Sequence, residues 1–136
     1  MKKRILIIDG QGGKLGRSLI EAIRAGVPDS EITAVGTNGI ATANMAKGKP
    51  DLIATGENAV LVCSRSAEVI VGPIGIVIAD AMLGEITAGM AAAIGQSGAK
   101  KILLPVSNHC NIMISCMNEL PISALIEDVV RLLQTC

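Results

Sequence analysis

The chain has 136 residues, equal numbers of acidic and basic side chains, and a formal net charge of +0. Half of its residues are hydrophobic, yet it contains no Phe, Tyr or Trp. This length fits one domain, residues 1–136, that buries roughly two thirds of the surface its unfolded chain would expose. The core must be built from Ile, Leu, Val, Ala and Met. Without aromatic stacking platforms or a basic surplus, nucleic acid is excluded as a partner.

The N-terminus MKKRILIIDG sets basic residues before an apolar run, but Asp9 and Gly10 end that run too early for a signal peptide. No apolar segment long enough to span a bilayer escapes interruption by charge, Gly or Pro. The expected location is therefore cytoplasmic, with no membrane partner. Four cysteines, Cys63, Cys110, Cys116 and Cys136, are few and irregularly spaced, which points to free thiols over a disulfide framework.

In chain order, Arg4 to Ile8 reads as a first strand. Lys14 to Ala25 reads as a helix with Leu15, Leu19, Ala22 and Ile23 on one face, stopped by Gly26 and Pro28. Glu31 to Gly36 is a second strand, and Gly39 to Lys47 an Ala-rich helix. The brief apolar step DLIAT follows, then TGENAVLVCSRS, where Thr55 or Glu57 starts a short helix. Glu68 to Gly72 is a buried strand ending at Gly72-Pro73. The run IGIVIADAMLGE is too apolar for a surface loop and reads as either a strand or a buried helical turn. Ile86 to Gly98 is a helix, Lys101 to Val106 a strand, Asn111 to Met117 a candidate last strand, and Pro121 to Leu133 a closing helix with Pro in its first turn.

Strands and helices alternate, and the strands are continuously apolar. That pattern predicts an α/β fold, a Rossmann-like three-layer sandwich whose doubly wound sheet is mostly parallel. The polar residues fall immediately after the strands: Asp9 and the glycine turn, Gly36-Thr37-Asn38, Gly72-Pro73, and Ser107-Asn108-His109-Cys110-Asn111. In an open parallel sheet these are all carboxyl ends, where ligands bind at the point of strand-order reversal.

Gly10, Gly13 and Gly16 fit G-x-x-G-x-x-G between strand and helix, similar to the turn of nicotinamide-dependent Rossmann reductases. Glycine lets backbone approach a phosphate, and free N–H groups at the helix start favour negative charge. The residues expected to bind a nucleotide, a dinucleotide or another phosphate-bearing small ligand are Gly10, Gln11, Gly12, Gly13, Lys14, Thr37, Asn38, Gly72, Pro73, Asn108 and His109. A Walker A loop is excluded, because five residues separate Gly10 from Gly16 and Arg17-Ser18 follows. The acidic residue that usually ends the second strand of a dinucleotide site is replaced by Thr37 and Asn38.

Asp9 reads as a strand-end residue bonded to the glycine loop rather than a magnesium ligand. Glu57 and Glu85 read as helix starts, where the dipole favours a carboxylate. His109, Cys110, Cys116 and Cys63 match no paired zinc spacing, and no metal site is expected. Adjacent His109 and Cys110 diverge on an extended segment. Any proton transfer would run through the histidine, the only side chain here with an unperturbed pKa near neutrality.

Together GQGGKLG, GTNGIAT, TGENA, VGPIGI, MLGEITAGMA and the Asn-His-Cys-Asn run resemble a family of short bacterial proteins classed as a domain of unknown function, numbered 3842. The resemblance covers nearly the whole chain and implies a complete single-domain protein. It implies no reaction, cofactor or substrate. Whether the protein is an enzyme stays open at this stage. Two functions compete: a small-ligand-binding protein with the glycine turn as anchor, and a non-catalytic homo-oligomeric module assembled through the apolar segment Ile74 to Leu83.

Overall fold

The computed structural model describes residues 2–106, 113–115 and 120–136. Its elements run β1 (Lys3–Asp9), α1 (Lys14–Gly26), β2 (Ser30–Gly36), α2 (Gly39–Ala46), β3 (Leu52–Thr55), α3 (Glu57–Ser64), β4 (Val69–Pro73), one turn of 3-10 helix (Ile74–Val77), α4 (Ala88–Gln96), β5 (Lys100–Leu104) and α5 (Ile122–Thr135). The five strands form one sheet in the order β3-β2-β1-β4-β5, with every neighbouring pair parallel. From β1 the chain builds outward through β2 and β3, then returns to the other side of β1 for β4 and β5. The strand order reverses between β1 and β4.

The continuous apolar run of β1 follows from burial on both faces. Ile5 and Ile7 pack with Leu19, Ile20 and Ile23 of α1, Met45 of α2, and Val129 and Leu133 of α5. Leu6 and Ile8 face the other way, against Val60 of α3 and Met90 and Ile94 of α4. A strand that alternated apolar and polar residues would place a charge under one of these layers. The result is the expected three-layer α/β sandwich of Rossmann-like form, with α1, α2 and α5 on one side and α3 and α4 on the other.

Local chemistry sets the helix boundaries. The Asn38 side chain caps α2 by accepting the Ala41 N–H at 2.8 Å, and Thr87 caps α4 by accepting the Met90 N–H at 3.1 Å. Pro121 stands immediately before α5. Glu57 opens α3, as the sequence suggests. Glu85 does not open α4, because Thr87 does.

One segment differs from its sequence reading, and a second takes the helical-turn alternative only over its first four residues. DLIAT contains a full edge strand, β3, paired along Thr33–Gly36 of β2. The run after β4 is one 3-10 turn followed by irregular backbone, in which Asp80, Met82, Leu83 and Gly84 have positive φ. Its apolar residues belong largely to the chain's own core: Ile76 and Ala81 are buried, and Val77, Ile78 and Met82 pack on the same cluster. Leu83, 84% exposed, is the one exposed large hydrophobic side chain in this run, and the small Ala79 is exposed as well. The apolar character of Ile74 to Leu83 is thus used within the fold and gives no separate reason to place a subunit contact there. The candidate strand Asn111 to Met117 lies mostly outside the described residues; Met113 to Ser115, which are described, are not in a strand. No helix among the described residues is long and apolar enough to cross a membrane.

Candidate functional site

The glycine turn leaves the carboxyl end of β1 next to the point of strand-order reversal. Its back is closed by Asp9. One carboxylate oxygen accepts the Gly10 N–H at 2.8 Å, and the other accepts the Gly16 N–H, in the first turn of α1, at 2.7 Å. Gly13 N–H bonds to Gly10 C=O at 3.0 Å and tightens the loop. Asp9 is buried, and desolvation raises its pKa above 3.8 against the lowering effect of the Gly16 and Gly10 N–H groups; the charge of Glu85 raises it further. The expected structural role of Asp9, holding the loop, is what the structure shows.

The front of the turn is open. Gly12 and Lys14 are exposed, and the space where a Gly12 side chain would project is empty. The N–H groups of Gly12, Lys14 and Leu15 donate no hydrogen bond among the described residues. Gly13 has a different reason to be glycine. Its φ is +72°, and a Cβ there would lie 2.5 Å from the Ala41 carbonyl oxygen of α2. A Cβ on Gly16 would meet Met45 and Asp9 at 2.8 and 2.9 Å, so this glycine serves close packing of α1 on the sheet. Asn44 of α2 donates to Gly12 C=O at 3.0 Å and steadies the outer limb of the turn.

The loop after β4 delivers Glu85 to the same place. A single carboxylate oxygen, Oε1, accepts from the Gln11 backbone N–H at 2.8 Å, the Thr37 hydroxyl at 2.6 Å and the Asn38 amide at 2.9 Å. Desolvation raises the Glu85 pKa, but the Gln11, Thr37 and Asn38 donors outweigh it, and the net position is below 4.5. Asn38 also donates to Gln11 C=O at 3.1 Å. Three loops are thereby tied together: the turn after β1, the β2 end and the β4 loop. The knot is tight, since a Cβ on Gly10 would meet Met82 Sδ, Thr37 Oγ1 and Glu85 Oε1 at 2.6, 2.6 and 2.9 Å.

Of the residues expected from sequence, Gly10, Gln11, Gly12, Gly13, Lys14, Thr37 and Asn38 form one continuous edge. Gly72 and Pro73 are buried within β4; a Cβ on Gly72 would collide with the Ile8 carbonyl oxygen of β1. Asn108 and His109, with Cys110, lie outside the described residues. Glu85 and Asn44 were not among the expected site residues. For Glu85 the available sign was a carboxylate in an apolar run on the carboxyl side of a strand; for Asn44 there was none beyond its place on α2.

Among the described residues no group of three or more His, Cys, Asp and Glu side chains is placed to hold a metal. Cys63 and Cys136 are free thiols, and burial pushes the Cys63 thiol up. Depressions bounded by described residues occur elsewhere, among them one of about 610 Å³ between β5 and the end of α5 and one of about 220 Å³ beside β3 and α3.

The profile of the family described as "Domain of unknown function (DUF3842)" matches residues 4–136. No curated protein and no solved structure matches the chain.

Proposed function

The chain belongs to the domain of unknown function family DUF3842, and from its site we propose that the protein binds a phosphate-bearing small ligand, a nucleotide or dinucleotide, at the carboxyl edge of its sheet. The observation that carries this reading is the open front of the turn: exposed Gly12, the Gly12, Lys14 and Leu15 N–H groups without described partners, and empty space above Gly12 at the start of a 13-residue helix. Such a helix start carries about half a unit of positive charge, and a phosphate oxygen accepting these N–H groups would use it. Lys14, exposed in the first helical turn, adds a mobile positive charge.

Asp9 does not oppose a ligand there. Its carboxylate is directed into the back of the turn, toward Gly10 and Gly16 N–H. Thermal-shift titration with inorganic phosphate, ribonucleotides and nicotinamide dinucleotides tests the reading. At a concentration about 100 times Kd, a bound ligand stabilises by about 2.7 kcal/mol, a shift of several degrees for a domain of this size. A protein shifted by none of these compounds would overturn the proposal.

A second reading, an oligomeric binding or assembly module, is favoured by the sheet edge. Leu52 and Ile53 of β3 are 57% and 52% exposed, and Val62 of α3 is 48% exposed. An exposed apolar edge strand presents free backbone groups as well as side chains to another chain.

A further inference from the structure

We infer that Glu85 supplies, from the loop after β4, the acidic group that recognises the vicinal diol of a ribose, so that the ligand is a ribonucleotide with free 2′ and 3′ hydroxyls. This rests on the ligand reading above and adds the sugar to it. In dinucleotide-binding sheets the group that accepts the ribose hydroxyls is a carboxylate at the end of the second strand. Here β2 runs out into Thr37 and Asn38, and no carboxylate follows. Glu85 stands in that position, held by the side chains of both residues and by the backbone of the glycine turn.

The distribution of bonds within the carboxylate gives the role. All three donors converge on Oε1. Oε2 accepts no hydrogen bond from the described residues, and the side chain is only partly buried. A carboxylate fixed through one oxygen and open through the other is oriented to accept from a hydroxyl pair. Thr37 and Asn38 cannot readily serve the ligand themselves. The single Thr37 hydroxyl proton is directed at Glu85, while Asn38 uses its carbonyl on Ala41 N–H and its amide on Gln11 and Glu85. They are positioning residues that act through Glu85.

The backbone supports the same conclusion. Asp80, Met82 and Leu83, none of them glycine, take left-handed conformations on the approach to Glu85, with φ of 66°, 57° and 56°. Such conformations are unfavourable for side-chain-bearing residues and persist where surrounding contacts enforce them. The contacts enforcing them here are the burial of Ala81 and Ile86 on either side and the three bonds to Glu85.

The test is calorimetric titration of the full chain with ADP, GDP, CDP and UDP, each beside its 2′,3′-dideoxy analogue. The expected result is that at least one ribonucleotide binds about tenfold or more tightly than its dideoxy analogue, the size of a hydrogen bond to a charged group. Glu85→Gln should lower the affinity for that ribonucleotide and leave the dideoxy analogue unchanged, erasing the preference. The wild-type pair decides the matter even if the variant fails to fold. Nucleotides binding with no preference for the diol would overturn the inference and leave the phosphate site standing; no nucleotide binding would remove the ribonucleotide reading altogether. Glu85→Gln binding both compounds more tightly than wild type would show a carboxylate that obstructs the turn, and would also overturn the inference.

Discussion

The Thr37 hydroxyl donates to Glu85 Oε1 at 2.6 Å across 48 residues of chain, joining the end of β2 to the loop that follows β4. Hydrogen bonds to charged groups contribute about 1.5–3 kcal/mol when protected from water; Glu85 is only partly buried, so the lower part of that range applies. Thr37→Val should destabilise the protein by about 1.5 kcal/mol, and Glu85→Ala, which also gives up the bonds from Gln11 and Asn38, by more. Because both remove the same bond, the double variant should cost less than the sum of the two, with a coupling of about 0.5–1 kcal/mol by urea unfolding. Simple additivity would show that the bond contributes nothing to the folded state.

The two central glycines of the turn should behave in opposite ways. Gly13→Ala must take a left-handed backbone and push against the Ala41 carbonyl, for a loss of about 2 kcal/mol or more. Gly12→Ala meets nothing and should stay within about 0.5 kcal/mol of wild type. Unfolding midpoints measure both. Gly12→Val, whose Cβ likewise meets nothing within 4 Å, is then the variant that should abolish a nucleotide-induced thermal shift without lowering the unliganded midpoint. Gly13 variants cannot separate binding from folding.

The two carboxylates of the site predict opposite pH dependences. Asp9 has a folded pKa raised by burial, so its contribution is fully present below its unfolded value and is lost as pH rises through the raised one. Glu85 has a folded pKa lowered by its three donors, so its contribution is present above its unfolded value and is lost as pH falls through the lowered one. Across the acidic range, the stability difference between wild type and Asp9→Asn should therefore shrink as pH rises. The difference between wild type and Glu85→Gln should grow. Urea unfolding as a function of pH checks both signs, and parallel slopes would contradict the opposed environments of the two groups.

The sequence made β1, the turn and α1 legible because three independent signals agree there: a continuous apolar run, glycines at fixed spacing and a helical period. Asp9 was legible for the same reason, since a carboxylate at a strand end faces the free N–H groups of the following loop. β3 was not, because four residues following Pro50 and Asp51, three of them exposed, are too short to show a period. Gly13 was assigned to ligand approach, whereas its crowding comes from Ala41, 28 positions away. Glu85 escaped for a deeper reason. It reaches the turn through left-handed residues that belong to no regular element, so no periodicity encodes its position, and its partners Gln11, Thr37 and Asn38 sit on two other loops. The same irregular path turns Ile76, Ala81 and Ile86 into core, which composition alone could not distinguish from a surface patch.

The edge of the sheet at β3 carries the last prediction. Among the described residues β3 pairs only with β2, and successive strand side chains point to opposite faces, yet both Leu52 and Ile53 are more than half exposed. The helices on either side therefore leave this edge uncovered on both faces. Beside it, Val62 and the depression of about 220 Å³ that it lines with Leu52, Ile53, Ala54 and Cys63 extend the apolar surface onto α3. A second copy is the partner that the second reading requires, and homo-oligomers of this kind are most often two-fold. Light scattering at micromolar concentration should give a mass above that of one chain, and Ile53→Lys should return it to the monomer, since a lysine on an edge strand opposes pairing. Ile53 makes no part of the buried core, so the variant should keep its unfolding midpoint. A monomeric wild type would leave the ligand site as the sole reading, and an oligomer indifferent to Ile53→Lys would place the contact away from this edge.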